Sequence, residues 1–371
     1  MSLLPLSTPF ALAPMAGMTD TAFRRLVKRQ GGCGLVVTEM VSSEGLVRGL
    51  DRTLQYVEFT EEERPVAVQL FGGDPEKMAR AALILEGIGA DAVDVNMGCP
   101  VPKVAKGNAG CRLMREPDRA AAIVQAMTRA VSIPVTVKMR AGWNDREVNA
   151  PELARLVEKA GAAAISVHGR TAAQSYGGRA DWDLIARVAR AVSIPVFGNG
   201  DCTEPHDLLR RLEESGVAGI LVGRGVLRNP WIFAQAAALA AGRAVPETSL
   251  AERGRFLLEY IDLLLTERVN EPADFRHEAA GSRRSTQRPQ ATEGHSMTEG
   301  ASAISGHSVS IGVQGAGGPD RGHDRWVINK VRALSAWFTR GLDNGSHLRQ
   351  LVNHTDSLPE LRKQIRDFFG V

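Results

Sequence analysis

From residue 10 to about residue 240, a short apolar run is followed by an amphipathic stretch again and again, and this alternation limits the fold more than any other feature of the chain. The apolar runs are ALAP (11–14), LVVTEM (35–40), VAVQLF (66–71), AVDVNM (92–97), VTVKMR (135–140), AISVHG (164–169), PVFGNG (195–200) and GILVGR (219–224). Between them lie stretches such as DPEKMARAALILEGIG and EPHDLLRRLEESG, whose apolar positions recur at i, i+3 and i+4. Asp74-Pro75 and Glu204-Pro205 read as helix starts, because an early proline lacks only an N–H that the first turn leaves unpaired. Eight such units in about 230 residues fit an α/β fold, the (β/α)8 TIM barrel. A doubly wound open sheet competes, but it prefers a dinucleotide fingerprint after an early strand, and none is present.

A barrel carries its chemistry where the strands end. The ends of these runs hold Met15, Glu39, Gln69, Asn96, Lys138, Arg140, His168, Arg170, Asn199, Asp201, Gly223 and Arg224. Polar groups that close apolar strands are costly if buried without partners. Any single one could merely solvate the rim; a succession over nearly every strand points to a site.

After residue 245 the texture changes. Residues 250–268 read as an amphipathic helix, with Phe256, Leu257, Tyr260, Ile261 and Leu264 on one face. Residues 272–325 are rich in Ser, Gly, His, Arg, Gln and Thr and read as a disordered, low-complexity insertion. Helical patterning resumes at 326–342 and 358–369. The expected organisation is a barrel over 1–245 and a small helical domain over 246–371, interrupted by that insertion.

The net charge of +3 neither demands nor excludes a nucleic-acid partner. Four cysteines with no C-x-x-C pair suit a reducing compartment and give no structural zinc signature. His277, His295, His307 and His323 are too irregularly spaced to read as a metal site. No apolar run approaches the roughly 20 residues that span a bilayer. The expectation is a soluble cytoplasmic protein with no metal and no membrane partner.

FGNGD (197–201) and VGRG (222–225) end the last two runs. Loops after strands seven and eight are the usual phosphate site of a barrel, and glycines let backbone N–H groups approach an anion. Lys138 interrupts a β-branched strand; there it can be a Schiff-base nucleophile, a phosphate contact or a charge beside an electron-accepting ring. Gln69 and His168 can each hydrogen-bond a ring heteroatom. Cys99 sits just beyond a strand end, between Gly98 and Pro100, with Lys103 and Lys106 nearby. There it can serve as a nucleophile or a general acid. Cys33, Cys111 and Cys202 read as packing residues. Lys103, Lys106, Arg112, Arg140, Arg170 and Arg179 would together make the mouth locally basic, which suits a polyanionic substrate.

APMAGMTD (13–20), VDVNMGCPVPKVAKGNAG, VTVKMRAGW (135–143), SVHGRTAAQSYGG (166–178), FGNGD and VGRGVLRNPWIF (222–233) together resemble the tRNA-dihydrouridine synthases. The bacterial, nitrogen-regulation-like branch is the most similar. The likeness covers about residues 8–240 and resumes in the C-terminal helices. It implies an FMN-dependent enzyme that uses NADPH to reduce the C5–C6 bond of uridine in tRNA. Pro14, Met15 and Ala16 would hold the flavin from the first strand; Gln69, Lys138 and His168 would contact its ring system. Asn199, Gly200, Asp201, Gly223 and Arg224 would bind the ribityl chain and phosphate. Cys99 would be the general acid, protonating C5 after hydride reaches C6. Asn96 would sit beside the uracil, and Arg170 with Lys103 and Lys106 would approach the RNA.

The chain departs from the family in its C-terminal part. Leu334 stands where the family usually has a histidine within a basic stretch near Lys330–Trp337, and the long insertion before it is unusual. Two other readings share parts of the pattern. One is an FMN barrel oxidoreductase acting on a small pyrimidine, which would need no helical appendage. The other is a non-catalytic RNA-binding homologue, which would need neither Cys99 nor Lys138. An aldolase using Lys138 is more distant.

Overall fold

The structure is a computed structural model that describes residues 4–105, 107–267 and 321–371. Lys106 and most of the 272–325 stretch, up to residue 320, therefore lie outside the described residues. Among the described residues, nine parallel strand segments form the sheet: β1 (Phe10–Leu12), β2 (Leu35–Val37), β3 (Val41–Ser42), β4 (Val66–Phe71), β5 (Ala92–Met97), β6 (Val135–Arg140), β7 (Ala164–His168), β8 (Val196–Asn199) and β9 (Gly219–Val222). β1 pairs with both β2 and β9, and β2 also pairs with β4, so the sheet closes on itself. β2 and β3 both pair with β4 and act as two segments of one stave, giving eight staves. The sequence reads 35–40 as one run; in the structure Thr38–Met40 separates two segments.

Long helices cover the barrel: α1 (Thr21–Gln30), α2 (Pro75–Gly87), α3 (Pro117–Ala130), α4 (Ala150–Lys159), α5 (Trp182–Ala191), α6 (Pro205–Ser215) and α7 (Ile232–Ala240). Their starts follow local chemistry. Asp20 accepts from the Phe23 N–H, Asp74 from Glu76 and Lys77, and Asp181 from Leu184, each satisfying donors of an open first turn. Each helix buries one apolar face, as with Ile123, Val124 and Met127 of α3.

The C-terminal part is helical: α8 (Leu250–Glu267), α9 (Arg321–Phe338), α10 (Gly345–His354) and α11 (Leu358–Phe369). α9 begins at Arg321, so residues 321–325 are helical and the low-complexity stretch is shorter at this end than composition indicates. The hydrophobic core runs without a break from the barrel into these helices. At the seam, Phe256 of α8 stacks on Phe338 of α9 at 5.5 Å and lies 5.4 Å from Trp231 and 6.2 Å from Phe23 of α1, centroid to centroid. Aromatic pairs at such distances add to the area they bury. Leu334 is 1% exposed and part of this core.

Candidate functional site

Register assembles the polar strand ends into one ring. Gln69 pairs with Asp94 across β4–β5, Asn96 with Lys138 across β5–β6, Arg140 with His168 across β6–β7, and His168 with Asn199 across β7–β8. The sequence places these groups up to 130 residues apart; parallel pairing makes them neighbours at one end of the barrel.

On one side of the ring, a directed chain of hydrogen bonds starts at Asp94. Burial pushes its carboxyl up from the usual range, while the Gln69 and Thr136 donors pull it back. One oxygen accepts from the Thr136 hydroxyl at 2.6 Å and the other from Gln69 Nε2 at 2.7 Å. That fixes the Gln69 amide, because its nitrogen must face the carboxylate. Its Oε1 then accepts from Asn96 Nδ2 at 2.8 Å, and Asn96 Oδ1 accepts from the N–H groups of Gly98 and Cys99 at 3.2 and 2.9 Å. A carboxylate in the middle of a strand thereby orients the loop that carries the cysteine.

The same loop is held from two further sides. Arg140 Nε donates to the Gly98 carbonyl at 2.8 Å, and the Cys111 N–H donates to the Cys99 carbonyl at 3.0 Å. Gly110 takes φ +61, and a Cβ there would stand 2.7 Å from that carbonyl oxygen, so the close approach requires glycine. Cys99 is half-buried, whereas Cys33, Cys111 and Cys202 are buried. Burial pushes the Cys33 and Cys202 thiols up to about 11 and about 12, which fits their packing role.

Cations gather on the other side. Lys138 reaches over β7 to Asn199 Oδ1 at 3.5 Å, and Asn199 Nδ2 donates to the Leu221 carbonyl at 2.6 Å. Burial, then the Arg140 guanidinium, push the Lys138 ammonium down to about 8. Burial first, then Lys138, Arg140, Arg170 and Arg224, push the His168 imidazole down to about 2, so it is neutral with one acceptor and one donor nitrogen. The loops after β8 and β9 meet here. Gly200 takes φ +137, and a Cβ would stand 2.4 Å from the Ala180 methyl; at Gly223 a Cβ would stand 3.4 Å from Met15 Sδ. The Met15 loop is thus packed beside the end of β9. Asp201 accepts from Ala180 N–H and from Arg170 and lies 3.6 Å from Arg224; against the cost of burial, these hold its carboxyl below the usual range.

The residues expected at the RNA side divide. Lys103 is exposed on the short helix Pro102–Ala105. Arg170 is 2% exposed, and its guanidinium is spent on Asp201 and on the carbonyls of Gly177 and Gly178 at 2.9 and 2.7 Å. It fastens the loop 177–178 to the loop after β8, and its Nη1 lies 3.4 Å from His168 Nε2. Three participants do not stand out from strand ends alone. Asp94 and Thr136 lie inside their runs; the signal for Asp94 is a lone carboxylate within AVDVNM. Tyr176 is 60% exposed, with its ring 4.8 Å from the Arg224 guanidinium carbon and 5.8 Å from that of Arg140. An aromatic ring between two cations at an open mouth can stack with a planar base.

This donor set fits a flavin phosphate. An ammonium with one long hydrogen bond, a neutral imidazole and an amide surround the barrel end, and glycine loops with Arg224 stand beside them. Among the described residues no group of three or more His, Cys, Asp or Glu could hold a metal ion, and no helix is long and apolar enough to cross a membrane.

Comparison with known proteins shows the family. The profile of the family described as Dihydrouridine synthase (Dus) matches residues 11–287. The chain is 46% identical over 266 residues to a probable tRNA-dihydrouridine synthase of Rhodobacter capsulatus, covering 71% of this chain and 82% of that protein. It is 43% identical over 264 residues to a probable tRNA-dihydrouridine synthase of Rickettsia prowazekii (71% and 80%). It is 42% identical over 254 residues to tRNA-dihydrouridine synthase B of Xanthomonas campestris (68% and 76%).

Proposed function

The chain belongs to the dihydrouridine synthase family, and from that premise we propose that it reduces the C5–C6 bond of uridines in tRNA with FMN as cofactor and NADPH as reductant. The observation that carries the reading is the cysteine loop, fixed by Asn96, Arg140 and Cys111 beside a ring of flavin-competent donors.

Reduced FMN, when bound, supplies the hydride that uridine C6 receives. Pro14, Met15 and Ala16 would hold it from the first strand, and Gln69, Lys138 and His168 would contact the ring system. Asn199, Gly200, Gly223 and Arg224 take the ribityl chain and phosphate; Asp201 acts by fixing Arg170 and Arg224. Cys99 holds a proton on its thiol and gives it to C5 as charge develops there. Asn96 has one oxygen committed to the Cys99 loop, so it couples the position of the base to that of the thiol.

The target uridine must leave its stack to reach the mouth, at a cost of roughly a few kcal/mol. Lys103 and Lys106 approach the RNA backbone, and Tyr176 offers a stacking face. Arg170 serves the substrate side indirectly, through the loop it fastens. The C-terminal part, 246–371, offsets the extrusion cost by gripping tRNA with its described helices, while residues 1–245 carry the chemistry. A cytoplasmic location follows from the substrate. The test is a stopped-flow pair. NADPH should bleach the flavin absorbance of the purified protein, and unmodified tRNA should restore it under anaerobic conditions. Bleaching with no tRNA-dependent recovery would reject the tRNA assignment.

A further inference from the structure

The turn after β1 is gripped from behind by residues far away in the chain. Gly17 has both backbone polar groups engaged: its N–H donates to Glu39 Oε2 at 2.6 Å, and its carbonyl accepts from Lys330 Nζ at 3.0 Å. Lys330 belongs to α9, and its side chain is 15% exposed. Its ammonium also lies 2.9 Å from Asp20 Oδ2 and 3.8 Å from Glu39 Oε1. Asp20 Oδ2 accepts the Tyr260 hydroxyl of α8 at 2.7 Å, while Asp20 Oδ1 caps α1. Two carboxylates thus meet in the interior, Asp20 fully buried and Glu39 6% exposed. The neighbouring Arg24 is committed to Glu63 and to the Thr19 carbonyl. Among the described residues, Lys330 is the cation that ion-pairs with both carboxylates and also holds the turn, while Arg24 acts on Glu39 from further off. Gly17 takes φ +79, so the turn depends on such contacts rather than on a side chain of its own. The turn itself is short and tied at its base: Thr19 Oγ1 donates to the Met15 carbonyl and accepts from the Met15 N–H.

We propose that Lys330, seconded by Tyr260, is a positioning residue for the Met15–Gly17 turn, so that the C-terminal helices form the rear wall of the flavin site and set its affinity. Lys330 touches neither flavin nor uridine; it acts through the Gly17 carbonyl and by neutralising Asp20 and Glu39. Removing one partner of a buried, hydrogen-bonded charge cluster leaves the others uncompensated. The relief available here is a shift of the turn, which abuts the end of β9 through Met15 and Gly223.

The inference rests on the flavin reading, and its test separates the two. FMN affinity of the full chain is measured by quenching of flavin fluorescence, with the folded fraction measured in parallel. Wild type should bind FMN, and Lys330→Met should bind it about tenfold more weakly. Lys330→Arg should recover part of the loss. Leu334→Ala, in the core-facing row of the same helix, should lower the melting temperature and leave FMN affinity unchanged. Should Lys330→Met not fold, Tyr260→Phe removes one donor to Asp20 without removing a charge and should weaken FMN binding about threefold. Wild-type affinity in Lys330→Met, or equal affinity losses in Lys330→Met and Leu334→Ala, would overturn the proposal while leaving the flavin reading intact. Failure of wild type to bind FMN would overturn both.

Discussion

The barrel mouth and the C-terminal seam are both largely buried, yet they use burial in opposite ways. In the aromatic part of the seam, away from the Lys330–Asp20–Tyr260 cluster, Phe23, Trp231, Phe256 and Phe338 exclude water with apolar surface. At the mouth, Gln69, Asp94, Asn96, Arg140 and His168 are each no more than 7% exposed, and the chain satisfies them one by one through a directed network. Apolar burial stabilises without caring about direction. A buried polar network gains little net stability but fixes where each donor and acceptor points. The aromatic seam therefore holds the fold together, and the mouth holds a geometry.

This contrast orders the expected effects of mutation. The largest is at the mouth and is functional. Cys99→Ala should cut dihydrouridine formation about 10²–10⁴-fold, the range of a lost general acid, with flavin reduction by NADPH and the melting temperature nearly unchanged. Equal turnover in the variant would remove Cys99 from its role. Next is a seam substitution. Phe338→Ala should destabilise by about 3–5 kcal/mol in denaturant unfolding. Barrel and C-terminal helices should still unfold in one transition, because the core is continuous between them. Two separate transitions would break the comparison.

Smaller is Asp94→Ala. It leaves the Gln69 amide and the Thr136 hydroxyl without their acceptor, at about 1–3 kcal/mol of stability. It should also lower kcat more than it raises the KM for tRNA, because the cysteine loop loses its reference point. The smallest expected effect is on pH dependence. Lys138 has its pKa lowered to about 8, so it is charged below that pH and neutral above it. FMN affinity should therefore weaken as pH rises through about 8, and Lys138→Met should bind FMN more weakly at pH 7 and lose that inflection. A wild-type profile flat from pH 6 to 9.5 would take Lys138 out of the phosphate and ring contacts.

The barrel was legible because short apolar runs alternate with stretches whose apolar positions recur at i, i+3 and i+4. The ring of Gln69, Asn96, Lys138, His168 and Asn199 was legible because polar residues at the ends of apolar runs must converge when strands are parallel. Asp94 escaped a reading confined to strand ends, since its partners Gln69 and Thr136 come from the two flanking strands. Arg170 was read as approaching the RNA; only coordinates reveal that it also ties the loop 177–178 to Asp201. The junction of Lys330 with Gly17 was illegible for a simpler reason. The two residues are 313 positions apart, and no local period links them. Leu334 was read as a departure from the family's basic stretch; the structure adds that it lies in the core.

The central claim is that this chain reduces a tRNA uridine with a flavin-borne hydride and a proton from Cys99. Its most direct test is mass-spectrometric mapping of an unmodified tRNA transcript after incubation with the purified FMN-loaded protein and NADPH. The account predicts a gain of two hydrogens at defined uridines, abolished when flavin is omitted. A transcript of unchanged mass, from protein that binds and reduces its flavin normally, would contradict it.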